Sequence, residues 1–171
     1  SAEQVSRLHT VVGRIPDLFT TAGWSPPSPL SAVLAANVLH FLPPEECVST
    51  FTALRRLCAP GAQLFVSLDS PWTAAYRFCW PLYKLRTIAG NPNPGAHSVR
   101  SPFKALIPDR LRAVDTYHVM EPAALTALLT EGGWTVQEAV MFSGDEEGNP
   151  EGVSLGNGEE MTGAWATNEP S

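Results

Sequence analysis

Apolar residues dominate Leu30-Ser-Ala-Val-Leu-Ala-Ala-Asn-Val-Leu-His-Phe-Leu42, a run bounded by Pro29 and Pro43. Such a run predicts a strand buried on both faces. The pattern then changes period. Cys47/Val48, Phe51, Leu54 and Leu57/Cys58 recur every three to four residues and mark one stripe of a helix. Pro43 and Pro44 suit its first turn, where a missing N–H costs nothing, and Glu45 and Glu46 meet the positive end of its dipole. Arg55 and Arg56 sit near the negative end, and Pro60-Gly61 stops it. Gln63 to Asp69 alternates Leu64, Val66 and Leu68 against Phe65, Ser67 and Asp69, which predicts a strand. Strand, helix, strand between Leu30 and Asp69 is a right-handed βαβ crossover of a parallel sheet.

The flanking patterns are less regular. Ser1-Ala-Glu-Gln4 fits a capping box, with Val5 and Leu8 beginning an apolar stripe. Thr10 to Leu18 reads as a short strand and turn, and Trp24-Ser-Pro-Pro-Ser-Pro29 as a rigid surface loop. Trp72, Tyr76, Trp80 and Tyr83 recur at helical spacing, although Pro81 interrupts any single helix. Residues 89–113 are loop-rich, with a turn cluster at Gly90-Asn-Pro-Asn-Pro-Gly95. Glu121 to Glu131 predicts a helix with Pro122 in its first turn, Leu125, Leu128 and Leu129 inward, and Gly132 as its cap. Trp134 to Phe142 follows as a strand, and Glu159 to Thr167 as a last strand, antiparallel to it by a hairpin. Between them, Gly144 to Gly152 is acidic, but Pro150 occupies the place where a calcium loop demands glycine, so a solvated hairpin loop is expected.

Composition narrows the classes. A chain of 171 residues, 44% hydrophobic and 16% charged, suits one globular domain with a real core. No apolar run approaches the roughly 20 residues a bilayer span needs. Cys47, Cys58 and Cys79 are odd in number and lack paired spacing, so they read as small core residues in a reducing, cytoplasmic compartment. His97 and His118 lack metal-ligand spacing, and no metal is expected. Residues 71–112 hold seven Lys or Arg against Asp109 alone, a net of +6, which leaves the rest of this −6 chain at −12. A basic, aromatic insert in an acidic protein argues against nucleic-acid binding. It allows an anionic substrate, or a peripheral membrane contact through residues 71–90.

The wording of the central unit carries a resemblance. Ala35-Ala-Asn-Val-Leu-His-Phe-Leu42, followed by Leu57-Cys-Ala-Pro-Gly-Ala-Gln-Leu-Phe-Val66, resembles the middle of a class I S-adenosylmethionine-dependent methyltransferase. The second turn glycine of that family is Ala62 here. The late helix, Gly132-Gly133-Trp134 and strand resemble another element of the same family. The resemblance implies an α/β fold with a Rossmann-like sheet, mostly parallel, ending in an antiparallel hairpin. It also implies an N-terminally incomplete single domain over 1–171, lacking the first β-α-β unit. The strand and glycine-rich turn that approach the cofactor, and the acidic residue that binds its ribose, have no counterpart. Gly156-Asn-Gly158 is no replacement, because position 161 is Met where a third glycine is needed.

The resemblance further implies S-adenosylmethionine as cofactor and a small-molecule or lipid-like methyl acceptor. Ala36, Asn37 and Val38 correspond to residues beside the cofactor. Gly13, Arg14 and Ile15 correspond to a place that often carries Gly-Asp, whose carboxylate meets the adenine; Asp17 nearby reads as a turn residue. His40 is the candidate catalytic base, and Asp69, Trp72 and Tyr76 are the candidate substrate contacts, in a region that commonly builds a lid. Residues 71–112 would form that lid. The alternative is a non-catalytic module that binds a membrane surface or a partner chain completing the sheet, since loss of two strands leaves an unpaired edge. A hydrolase on the same sheet class lacks its nucleophile elbow.

Overall fold

The computed structural model describes residues 11–20, 24–98, 116–143 and 159–169. A short helix α1 (Asp17–Thr20) precedes strand β1 (Leu30–Ala36), a 3-10 turn (Leu39–Phe41), helix α2 (Pro44–Leu57) and strand β2 (Cys58–Asp69). A second 3-10 turn (Ala74–Cys79) leads into α3 (Trp80–Ile88), then β3 (Ala96–Ser98), β4 (Thr116–His118), α4 (Pro122–Glu131), β5 (Thr135–Phe142) and β6 (Met161–Thr167). The expected helix over residues 1–8 and the acidic loop at 144–152 fall outside the described residues, and so does the loop-rich stretch 89–113 from residue 99 on; within its described part Ala96–Ser98 form β3.

The main sheet has the order β1-β2-β6-β5. β1 and β2 pair in parallel, joined by the α2 crossover, whereas β6 is antiparallel to both β2 and β5. Three strands therefore run one way and the last is reversed and inserted between β2 and β5. The alternation of β2 decides which side chains meet the helices. Leu64, Val66 and Leu68 are buried, joined by Ala35 from β1 and by Ala164 and Ala166 from β6. Against them pack Cys47, Phe51 and Leu54 of α2 and Leu125, Leu128 and Leu129 of α4, so both helices lie on one face. The Cys47 thiol is pushed up to about 12, chiefly by burial, as suits a small core residue.

The α4–β5 corner is tightly fixed. Gly133, at φ 88°, takes the left-handed position; Gly132, at φ −72°, does not. Gly133 N–H donates to Thr130 O (2.9 Å) and Trp134 N–H to Leu129 O (3.0 Å), which is a Schellman ending. Gly132 is needed for a different reason, because a Cβ there would lie 2.5 Å from Phe51 Cβ.

Three expectations are corrected. Val11 to Arg14 form no strand: no described strand lies beside them, and the chain turns so that Leu18 N–H bonds Arg14 O at 2.8 Å. The 30–42 run is a strand only to Ala36. It is not buried on both faces, because β1 is the outer strand of the described sheet and the helices cover one side; Leu34 is 73% exposed. Pro60-Gly61 does not part helix from strand, since β2 already begins at Cys58, and Gly61 (φ 78°) lies within it. The break expected at Pro81 is present: Ala74–Cys79 form the 3-10 turn, and α3 begins anew at Trp80 with Pro81 in its first turn.

Asn168 was given no role from the sequence. Its side-chain amide donates to Cys58 O (3.2 Å) and Ala59 O (3.0 Å), closing the α2–β2 junction just after β6 ends. Asn168→Ala would leave buried carbonyls unpaired, and an increase in urea sensitivity worth about 1–3 kcal/mol is expected by equilibrium unfolding.

Candidate active site

In open α/β sheets ligands bind beyond the carboxyl ends of the strands. β1 ends at Ala36, and Asn37 follows at φ 52°, a left-handed conformation that Asn tolerates better than most residues. Ala36 and Asn37 are exposed, and Asn37 N–H is held by Ser67 O at 2.8 Å. This turn presents backbone to solvent at the end of the sheet. The 3-10 turn that follows then folds His40 inward, 5% exposed, with Nδ1 buried and unpartnered among the described residues. Burial lowers the His40 pKa, and the Asp69 carboxylate opposes that effect.

Asp69 closes β2 at the same end of the sheet. Its Oδ2 accepts a hydrogen bond from Tyr117 Oη of β4. The Tyr117 ring lies 4.9 Å from that of His40 and 4.9 Å from that of Tyr76, stacked on the latter at 21°. Phe41 adds an edge contact to both His40 and Tyr117. Three of the residues expected from the sequence, His40, Asp69 and Tyr76, are thus gathered by one that was not. The only sequence trace of Tyr117 is a three-residue strand, Thr116–His118, too short for a periodicity argument. Burial pushes the Tyr76 hydroxyl pKa well up, which keeps it a neutral donor.

The other expected residues divide. Trp72 stands in a second aromatic group, with rings of Trp80 and Tyr83 at 5.7 and 6.0 Å. Arg14 is engaged by both oxygens of Glu46 (2.9 and 2.7 Å), at the first turn of α2, and by Asp17 at 3.3 Å. Those carboxylates occupy the Arg14 guanidinium. Gly13 is exposed, while Ile15 and Val38 both pack, partly buried, on the main core. Near α3, His97 accepts from Arg86 Nη1 through Nδ1 at 3.3 Å, and His118 is fully buried with both ring nitrogens unpartnered among the described residues. Burial pushes each of these histidines down to about 4. Among the described residues no group of three or more His, Cys, Asp or Glu could hold a metal ion.

No family model matches the chain, and no curated protein matches it in sequence. Solved structures match its shape. An S-adenosylmethionine-dependent methyltransferase from Methanosarcina mazei is 16% identical with a TM-score of 0.53, over 86% of this chain and 64% of that one. An S-adenosylmethionine-dependent methyltransferase from Mesorhizobium loti is 13% identical with a TM-score of 0.51, over 84% of this chain and 63% of that one. The chain therefore spans just under two thirds of the length of either. It has the class I methyltransferase fold, as the resemblance implied: an α/β Rossmann-like sheet with the reversed last strand.

Proposed function

We propose that this chain forms the acceptor side of an S-adenosylmethionine-dependent methyltransferase that acts on a small-molecule or lipid-like acceptor. The observation that supports it best is the convergence of His40, Asp69, Tyr76 and Tyr117 at the carboxyl ends of β1 and β2 in a sheet of this order. The exposed, left-handed turn at Asn37 fits one wall of a cofactor site, with Ala36, Asn37 and Val38 along it. Gly13, Arg14 and Ile15 approach the same end through the Arg14–Glu46 contact. When bound, S-adenosylmethionine supplies an activated methyl group.

What this chain adds is alignment, exclusion of water and a place for a proton. The stacked rings of Tyr117 and Tyr76, with the His40 ring tilted against Tyr117, form an apolar wall against which a flat acceptor would be held. Asp69 takes the acceptor's proton through the Tyr117 hydroxyl it already accepts from, or His40 takes it as the base. In a full-length protein with measurable turnover, Asp69→Asn is expected to lower kcat by about 10²-fold or more while leaving S-adenosylmethionine affinity unchanged. His40→Ala with unchanged turnover would remove His40 from the proton path.

The cofactor assignment is tested by calorimetry with S-adenosylmethionine, on this chain and on a version of the protein extended upstream. Binding by the extended version and not by this chain is the expected result. Binding by neither would overturn the cofactor assignment. A second reading, a non-catalytic module completed by a partner chain, is favoured by the edge of β1 and by one sheet face, both uncovered among the described residues. That face forms a concavity of about 260 Å³ lined by Leu34, Phe65, Val140, Phe142 and Trp165.

A further inference from the structure

The methyl-transfer site proposed above does not draw on the outer face of α3. Pro81, Leu85 and Ile88 fall at i, i+4 and i+7, on one side of that helix, where all three are exposed, Leu85 at 65% and Ile88 at 83%. Lys84 is exposed beside them, its Nζ 6.0 Å from the centre of the Trp72 ring, and Arg77 is exposed on the turn before. From Ser70 to Pro108 the sequence has no Asp or Glu, and five Lys or Arg, in a chain whose net charge is −6. The inner face of α3 is fixed. Tyr83 is buried, and Arg86 Nη1 donates to Ala96 O at 2.7 Å and Pro94 O at 3.3 Å. The helix is therefore anchored in a conformation that turns its apolar residues outward.

We propose that this face docks on an anionic lipid bilayer, with Leu85 and Ile88 seated at the headgroup–acyl boundary and Lys84 and Arg77 against the lipid phosphates. The charge of the segment supplies the complementarity, since a −6 protein approaches an anionic surface only through a patch of opposite sign. The combination of bare aliphatic residues with flanking cations is that of an interfacial helix. Nine residues bury little area, so binding is reversible and salt-sensitive. The inference stands apart from the methyl-transfer reading, although Tyr76, in the same segment, stacks on Tyr117 and so links the docking face to the acceptor wall.

The test is co-sedimentation of the 171-residue chain with phosphatidylcholine vesicles, with and without phosphatidylserine, at low salt. Binding to the anionic vesicles alone is expected, weakening about tenfold or more on raising salt to ~0.5 M. The double variant Leu85→Glu, Ile88→Glu should lose about tenfold or more in partition, and Lys84→Glu about fivefold or more. These side chains are exposed, so circular dichroism should not change; if the glutamates disturb folding, Leu85→Gln with Ile88→Gln makes the same comparison. Arg86 is unsuitable for charge reversal because it holds β3. No binding to anionic vesicles at low salt overturns the proposal, as does equal binding to neutral ones. Binding that ignores all these substitutions places the contact elsewhere, such as the open sheet face, and also overturns it. So does a dimer without vesicle binding that the double variant converts to monomer.

Discussion

Acidification from pH 7 to pH 4 will lower the unfolding free energy of this chain by several kcal/mol, with His97 and His118 responsible for most of the loss. Both are buried, His118 completely, and both are held to about 4 in the folded state against an ordinary value of 6.5. Burial is the main cause for each; Arg86 adds to it for His97, and His97 adds to it for His118. Between pH 6.5 and 4 the unfolded chain binds more protons than the folded one. Stability is therefore complete above pH 6.5 and declines as the pH falls through that window. A difference of this size is worth up to about 3 kcal/mol per histidine. Two of them take a large share of the roughly 5–15 kcal/mol that hold a domain together. Urea unfolding at pH 7, 5.5 and 4.5 reads this directly. His118→Leu removes a ring with no partner for either nitrogen among the described residues, so it should flatten the pH dependence and leave stability at pH 7 equal or higher. An unchanged slope in that variant would mean that His118 is hydrated and titrates alike in the folded and unfolded chain.

Trp134→Ala is the substitution expected to do most damage at neutral pH. The ring is 2% exposed at the α4–β5 corner, and its indole N–H donates to Phe51 O at 2.9 Å. Its backbone N–H closes the helix ending onto Leu129 O. Truncation leaves a cavity between α2 and α4 and should cost about 3–5 kcal/mol. Trp134→Phe keeps most of the volume and loses the hydrogen bond, so about 1–2 kcal/mol is expected. Guanidinium unfolding of the pair separates packing from hydrogen bonding. Equal losses would mean that the Phe51 carbonyl, not the ring, is what the corner depends on.

Elements whose fate depends on local sequence were legible. The α2 stripe, its prolines and its acidic first turn determined a helix wherever the chain went, and the alternation of β2 specified the face it buries. The hairpin of β5 with β6 was legible for the same reason. β1 was misread because an apolar run reports what a strand could be packed against, not what is there; Leu34 is as apolar as Leu64, yet one is 73% exposed and the other 0%. The site was legible where it lies at strand ends, as with His40 and Asp69. Tyr117 was not, because it reaches Asp69 across 48 positions of chain through a ribbon of three residues. Arg14 could be named but not paired, since Glu46 meets it only after α2 has folded against the turn at Ile15.

The place of β6 also bears on how the chain can be made. β2 and β5 have no edge in common: β6, the latest described strand in the sequence, lies between them, and among the described strands β5 pairs with nothing else, whereas β2 has β1 on its other side. On a ribosome, β1, α2 and β2 can assemble early, while β5 must wait for residues 161–167 to emerge before it has anything to pair with. Completion of the sheet is thus late relative to β1, α2 and β2 and dominated by long-range pairing, a topology that folds slowly. A nascent chain stalled between Phe142 and Met161 would display two apolar strand edges at once, and chaperone protection during that interval would govern its yield.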